Sequence, residues 1–175
     1  MSKFVSNNWE IYFHPQLFGS QYQALSNRVA NLREQLPEAE FKTHATVKLF
    51  AAITIAIETK IPADPFASHF VLTGALKRYS RVKKMGLPER YRLFFRVFDT
   101  PQLKAIVILW LGFPRKEGAK DDCYEVFTKM VIRGTFPDSL DELLGDCEQD
   151  NVGWVEKTQL SESGCPGFQD LQDVC

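Results

Sequence analysis

Apolar residues recur at steps of four and three from Phe18 through Tyr22, Leu25, Val29 and Leu32 to Leu36. That spacing lays one apolar stripe along a helix. Just before it, Trp9-Glu10-Ile11-Tyr12-Phe13 is a short β-rich run and reads as the first strand. His14-Pro15 ends the run, and Pro15 suits the first turn of the helix with His14 near the cap. Pro37 punctuates the helix. A second helix is expected over about 38–60, with Ala45, Leu49, Ala52, Ile53, Ala56 and Ile57 facing inward. The two helices make an α-hairpin.

Residues 62–74 read as a loop, and three strand candidates follow. The first covers 79–85, with Gly86-Leu87-Pro88-Glu89 as its turn. The second covers 90–99, where Tyr91, Leu93, Phe95 and Val97 alternate with Arg90, Arg92, Phe94 and Arg96. Period-two alternation predicts a core face and an arginine face. The third covers 104–113 and is apolar on both faces, Ile106, Ile108 and Trp110 on one and Val107, Leu109 and Leu111 on the other. That pattern predicts a central, covered strand. A helix is expected over about 122–133, capped by Asp121 or Asp122, and a shorter one over about 138–144. Beyond Cys147 the periodicity stops. The expected organisation is one domain, 1–147, and a flexible acidic tail, 148–175. The fold class is α+β: an N-terminal strand and α-hairpin on a twisted antiparallel sheet, then C-terminal helices. The opposite sheet face is expected to be open and basic.

Charge sharpens this picture. Net charge is −1 over 175 residues. Residues 1–76 hold six basic and six acidic side chains; residues 77–133 hold fourteen basic and six acidic, a net of +8. Residues 134–175 hold one lysine and ten acidic side chains, a net of −9. The asymmetry suggests a body that binds polyanions and an acidic tail. Cys123, Cys147, Cys165 and Cys175 contain no C-x-x-C pair, so neither a zinc site nor a disulfide framework is expected, and free thiols suit a reducing cytoplasm. The longest apolar runs are about nine residues, against the roughly twenty that a membrane span needs.

The candidate chemistry is cationic. His14, His44 and His69 all precede the sheet, nothing in the sequence pairs them, and each is read as a cap or surface residue. No metal-ligand spacing or phosphate-cradling glycine loop is present, so no metal and no cofactor are expected. Arg81 and Lys83 share a face of one strand, Arg90, Arg92 and Arg96 share a face of the next, and Arg115 and Lys116 follow the central strand. Fixed guanidinium groups bind phosphate oxygens in pairs and stabilise a dianionic phosphorane. Crowded cations favour the neutral form of a neighbouring amine, which makes Lys83 a candidate base for a ribose 2′-OH. Asp122 is read either as a helix cap or as an acid/base group. The alternative is a sheet-based binder of RNA or operator DNA without catalysis, for which no RRM signature is present.

Four stretches resemble the YhaV toxin family. They are Ile11-Tyr12-Phe13-His14-Pro15; Lys83-Lys84 with Arg90-Tyr91-Arg92-Leu93-Phe94-Phe95-Arg96; the strand ending in Trp110; and Asp122-Cys123-Tyr124-Glu125-Val126-Phe127-Thr128-Lys129-Met130. The similarity runs over about residues 9–144. The segment Leu111-Gly112-Phe113-Pro114-Arg115-Lys116-Glu117-Gly118 departs from the longer Asn/Asp/Glu-rich stretch of many relatives. The resemblance implies a RelE-like fold and a toxin of a type II toxin–antitoxin system. It implies a metal-independent endoribonuclease, an mRNA interferase cleaving mRNA by 2′-OH attack and arresting translation and growth. It implies catalytic roles for Arg81, Lys83, Arg92 and Arg115. RNA binding is expected from Lys84, Arg90, Arg96, Lys116 and Tyr124, the last stacking on a base. The implied partners are a PrlF-like (AbrB-type) antitoxin, mRNA free or on the ribosome, and operator DNA only through the antitoxin complex.

Overall fold

The computed structural model describes residues 4–113, 122–140 and 142–143. Five strands form one open sheet in the order β1-β2-β5-β4-β3. They are β1 Phe4–Ser6, β2 Trp9–Phe13, β3 Ser80–Val82, β4 Arg92–Asp99 and β5 Lys104–Gly112. The sheet is mixed, which corrects the antiparallel expectation: β2 runs parallel to β5, while the other pairs are antiparallel. The whole α-hairpin lies between β2 and the later strands, long enough for the crossover that a parallel pair requires.

β1 is an addition to the expected elements. It turns into β2 at Asn7 and Asn8, which have φ of +48° and +65°. Asparagine is among the few residues that tolerate that conformation, and two such residues match the twist of a tight hairpin. Ser6 Oγ donates to Glu58 O and Asn7 Nδ2 to Pro62 O, tying the hairpin to the helical layer.

The expected first helix is a π turn, Pro15–Gly19, followed by α1, Ser20–Gln35. The expected second helix is broken. It comprises α2, Glu38–Thr43, and α3, Ala45–Ile55, then a π turn, Ala56–Lys60, and one last turn, α4, Ile61–Ala63. The break falls at His44, whose extended backbone caps α3 while its Nδ1 accepts from Thr46 N at 3.1 Å. One face of the sheet, with Ile11, Phe13, Leu93, Phe95, Ile106, Ile108 and Leu111, packs on Leu49, Ala52, Ile53, Ala56 and Ile57.

The opposite face is not open. Tyr12, Phe94, Val107, Leu109 and Trp110 pack there on Cys123 and Phe127 of α5, Cys123–Ile132, and on Phe136 and Leu143 beyond it. Phe94 and Phe127 stack with centroids 4.0 Å apart. The expected faces of β5 change at a bulge: Phe94 pairs with Trp110 but Phe95 pairs with Ile108. Leu109 is the extra residue, so Trp110 joins Val107 and Leu109, and Leu111 joins Ile106 and Ile108. Leu143 N donates to Ser139 O where the shorter C-terminal helix was expected; the rest of that expectation, and the acidic tail, lie outside the described residues. Among the described residues no helix is long and apolar enough to cross a membrane.

Candidate active site

The strand register puts two arginines at one corner of the sheet. In β3, Val82 is buried in the core, so its neighbour Arg81 projects to the α5 side, paired with Phe94. Arg92 lies two residues before Phe94 and takes the same side at the end of β4, paired with Gly112. α5 brings Tyr124 between them. Arg81 Nε donates to Tyr124 Oη at 2.5 Å, and Arg81 Nη1 donates to His69 O at 2.8 Å. The guanidinium carbons of Arg81 and Arg92 each lie 5.9 Å from the centre of the Tyr124 ring. Arg92 Nη1 donates to Tyr91 O at 2.6 Å, while its Nε is buried without an acceptor among the described residues.

Two features of the chain seat this helix. Asp122 caps it, its Oδ1 accepting from Tyr124 N at 3.3 Å. Gly112 lets the helix start close to the sheet, since a Cβ there would lie 2.7 Å from Cys123 Cβ and 3.0 Å from the Trp110 ring. Burial, with Asp122 beside it, pushes the Cys123 thiol up to about 11, and Arg92 opposes the shift only in part. The thiol is therefore protonated near neutrality and is a packing group there. The corner offers two cationic forks around a phenol, a geometry suited to a phosphodiester and an adjacent base.

A family model described as "Toxin with endonuclease activity, of toxin-antitoxin system" matches residues 11–148. The chain belongs to the YhaV toxin family. It is 35% identical over 151 residues to the Ribonuclease toxin YhaV of Escherichia coli (strain K12), covering 82% of this chain and 94% of that protein. The Toxin YhaV of Escherichia coli O157:H7 shows the same identity and coverage. No solved structure matches. A YhaV-type toxin is a toxin–antitoxin endonuclease, and a purely binding role is not favoured.

In this YhaV-type chain the remaining expected residues divide into three groups. Lys83, Lys84 and Arg90 are exposed on the segment joining β3 to β4, outside the Arg81–Tyr124–Arg92 cluster. β3 ends at Val82, shorter than expected, because Lys84, Met85 and Gly86 take φ of +64°, +59° and +94°. Lys60 Nζ holds this bend by donating to Met85 O at 2.8 Å. Arg115 and Lys116 lie outside the described residues.

Arg96 belongs elsewhere, a correction to its place on an open RNA-binding face. It is 8% exposed, and donates to Pro137 O at 2.9 Å and Asp138 O at 2.7 Å. Its guanidinium sits 4.6 Å from the Phe98 ring centre, beneath the segment that follows α5. Two contributors escaped the sequence reading. His69 reaches the site through its main-chain carbonyl, which no side-chain pattern signals. Gly112 was signalled, as a glycine closing an otherwise apolar strand.

Proposed function

We propose that this toxin is a metal-independent endoribonuclease that cuts mRNA by attack of a ribose 2′-OH on the adjacent phosphodiester. The observation that carries the reading is the convergence of Arg81 and Arg92 on one tyrosine. Guanidinium groups as a class stay charged at physiological pH. They supply fixed positive charge where the phosphorane's negative charge develops, and fixed charge needs no reorganisation during the step. Tyr124 adds a ring face for a base beside the scissile phosphate. Lys83, Lys84 and Arg90 extend the cationic surface along the RNA backbone, with Arg115 and Lys116 assigned to the same task. Asp122 acts as the helix cap. The ribonuclease named in the relative of Escherichia coli (strain K12) supports RNA as substrate.

The finer fold reading is RelE-like, supported by the order strand, helical hairpin, antiparallel strands and helix. The partner is a PrlF-like, AbrB-type antitoxin that covers the cationic corner or displaces α5, and operator DNA is reached only through that complex. The protein works in the cytoplasm on mRNA, free or on the ribosome. Residues 148–175 are a spacer, leaving inhibition to the antitoxin.

The test is purified toxin with RNA in EDTA, with and without ribosomes, followed by analysis of the cut ends. Cleavage in chelator with 2′,3′-cyclic phosphate ends is expected, and Arg81→Ala and Arg92→Ala abolish it. Activity that requires added Mg²⁺ or Mn²⁺ would sink the metal-independent mechanism.

A further inference from the structure

The three histidines have different fates. His44 caps α3 through its ring. His14 is buried, edge-on to Phe136. His69 alone of the three is exposed, and its main-chain carbonyl accepts from Arg81 of the cationic corner.

Its main chain is fixed from several directions. Arg81 Nη1 holds its carbonyl at 2.8 Å. Arg81 N donates to Phe70 O at 2.8 Å, and Val71 forms an isolated bridge with Ser80. The segment carrying His69 is thus zipped along β3. The imidazole rests against Phe70 with ring centroids 4.2 Å apart, and Phe70 is itself buried edge-on to Phe95. The ionisable side chains of the corner are Arg81 of β3, Arg92 of β4 and, on α5 and its cap, Tyr124, Cys123 and Asp122; Phe70 is apolar. Arginine and tyrosine ordinarily titrate far above neutrality, and the Cys123 thiol is pushed up to about 11. Imidazole is the one side-chain type here whose ordinary titration falls near neutrality.

We propose that His69 is the general base of the cleavage step, an assignment that rests on the 2′-OH mechanism above. The neutral imidazole takes the proton from the 2′-OH. The freed oxygen lone pair forms the O2′–P bond, the P–O5′ bond breaks, and the leaving 5′-oxygen takes a proton from water. The products are a 2′,3′-cyclic phosphate and a 5′-hydroxyl, and the imidazolium returns its proton to solvent. Arg81 then has two tasks: it clamps the phosphate and, through the His69 carbonyl, holds the base at the site.

The experiment measures single-turnover cleavage of an RNA oligonucleotide by the full chain from about pH 5 to 9, for the parent, His69→Gln and Lys83→Ala. The parent rate is expected to rise with pH through one limb that reports ionisation of the base. His69→Gln removes that limb and slows cleavage by about 10²–10⁴-fold, with RNA affinity retained. The Arg81–carbonyl bond is to the main chain, so the variant keeps its fold, which a thermal melt checks. Lys83→Ala keeps the limb. A limb that persists in His69→Gln, or vanishes in Lys83→Ala, overturns the assignment. With 2′,3′-cyclic ends present, that result removes His69 alone; ends carrying a 5′-phosphate would remove the 2′-OH mechanism as well.

Discussion

Tyr124 and Arg96 show how differently one chemical class, the guanidinium, is used in this protein. At Tyr124 the phenol oxygen accepts from Arg81, and the ring faces two guanidinium groups. Tyr124→Phe keeps the edge-on contact with Phe94 and loses only the acceptor. A hydrogen bond from a charged donor is worth about 1.5–3 kcal/mol. If it is fully expressed in the transition state, cleavage falls about 10- to 100-fold with an unchanged melting temperature. Arg96 gives the reverse pattern. Its removal strands the carbonyls of Pro137 and Asp138 and empties a slot beside Phe98. Arg96→Ala should destabilise the fold by at least about 2 kcal/mol, read as a lower urea midpoint. An Arg96→Ala protein of parental stability would return that residue to the RNA-binding set.

The site depends on how α5 meets the ends of β4 and β5. Asp122 supplies the cap and Phe127 the anchor, stacked on Phe94 and near-parallel to Trp110. The bulge at Leu109 rotates Trp110 onto this side and so builds the surface that α5 needs. Gly112 then sets the distance of closest approach. Gly112→Ala places a methyl group 2.7 Å from Cys123 Cβ, so the first turn of α5 must move. Overpacking of this kind costs about 1–3 kcal/mol. Cleavage should fall further than stability alone accounts for, because Tyr124 rides on the displaced turn. The check is activity under strongly stabilising conditions: full recovery there would mean that Gly112 matters only to folding.

At the scale of the molecule, two of the basic side chains of residues 77–133 meet at one corner of the sheet. The helical hairpin covers one face of the sheet, while α5 covers the other and leaves cations at one corner. If this corner holds RNA as proposed, phosphate contacts dominate its binding, and affinity for RNA should fall with salt. The expected log–log slope is about −0.7 for each phosphate held. Arg81→Ala should flatten it by about one such increment while weakening binding to all sequences alike. A salt-independent affinity measured by titration would contradict phosphate clamping at this corner.

The amino-acid pattern by itself determined that β4 has an apolar side, that β5 is central, that an aspartate at 121 or 122 opens a helix and that basic side chains gather after residue 76. These are local consequences of period, capping and charge, and they need no knowledge of what packs on what. The same pattern carried the family resemblance that the family model bears out. Only the tertiary structure decided the rest. The parallel pairing of β2 with β5 joins residues about 95 apart, a long-range choice that no periodicity encodes. Arg92 and Arg96 occupy equivalent positions in the alternation, yet one meets Tyr124 and the other is buried under Pro137 and Asp138. The difference comes from what lies over each end of the strand. His69 is tied to the corner because Arg81 reaches its main-chain oxygen, and every residue carries one of those. Side-chain identity therefore proposed the cations, and packing chose which of them form the site.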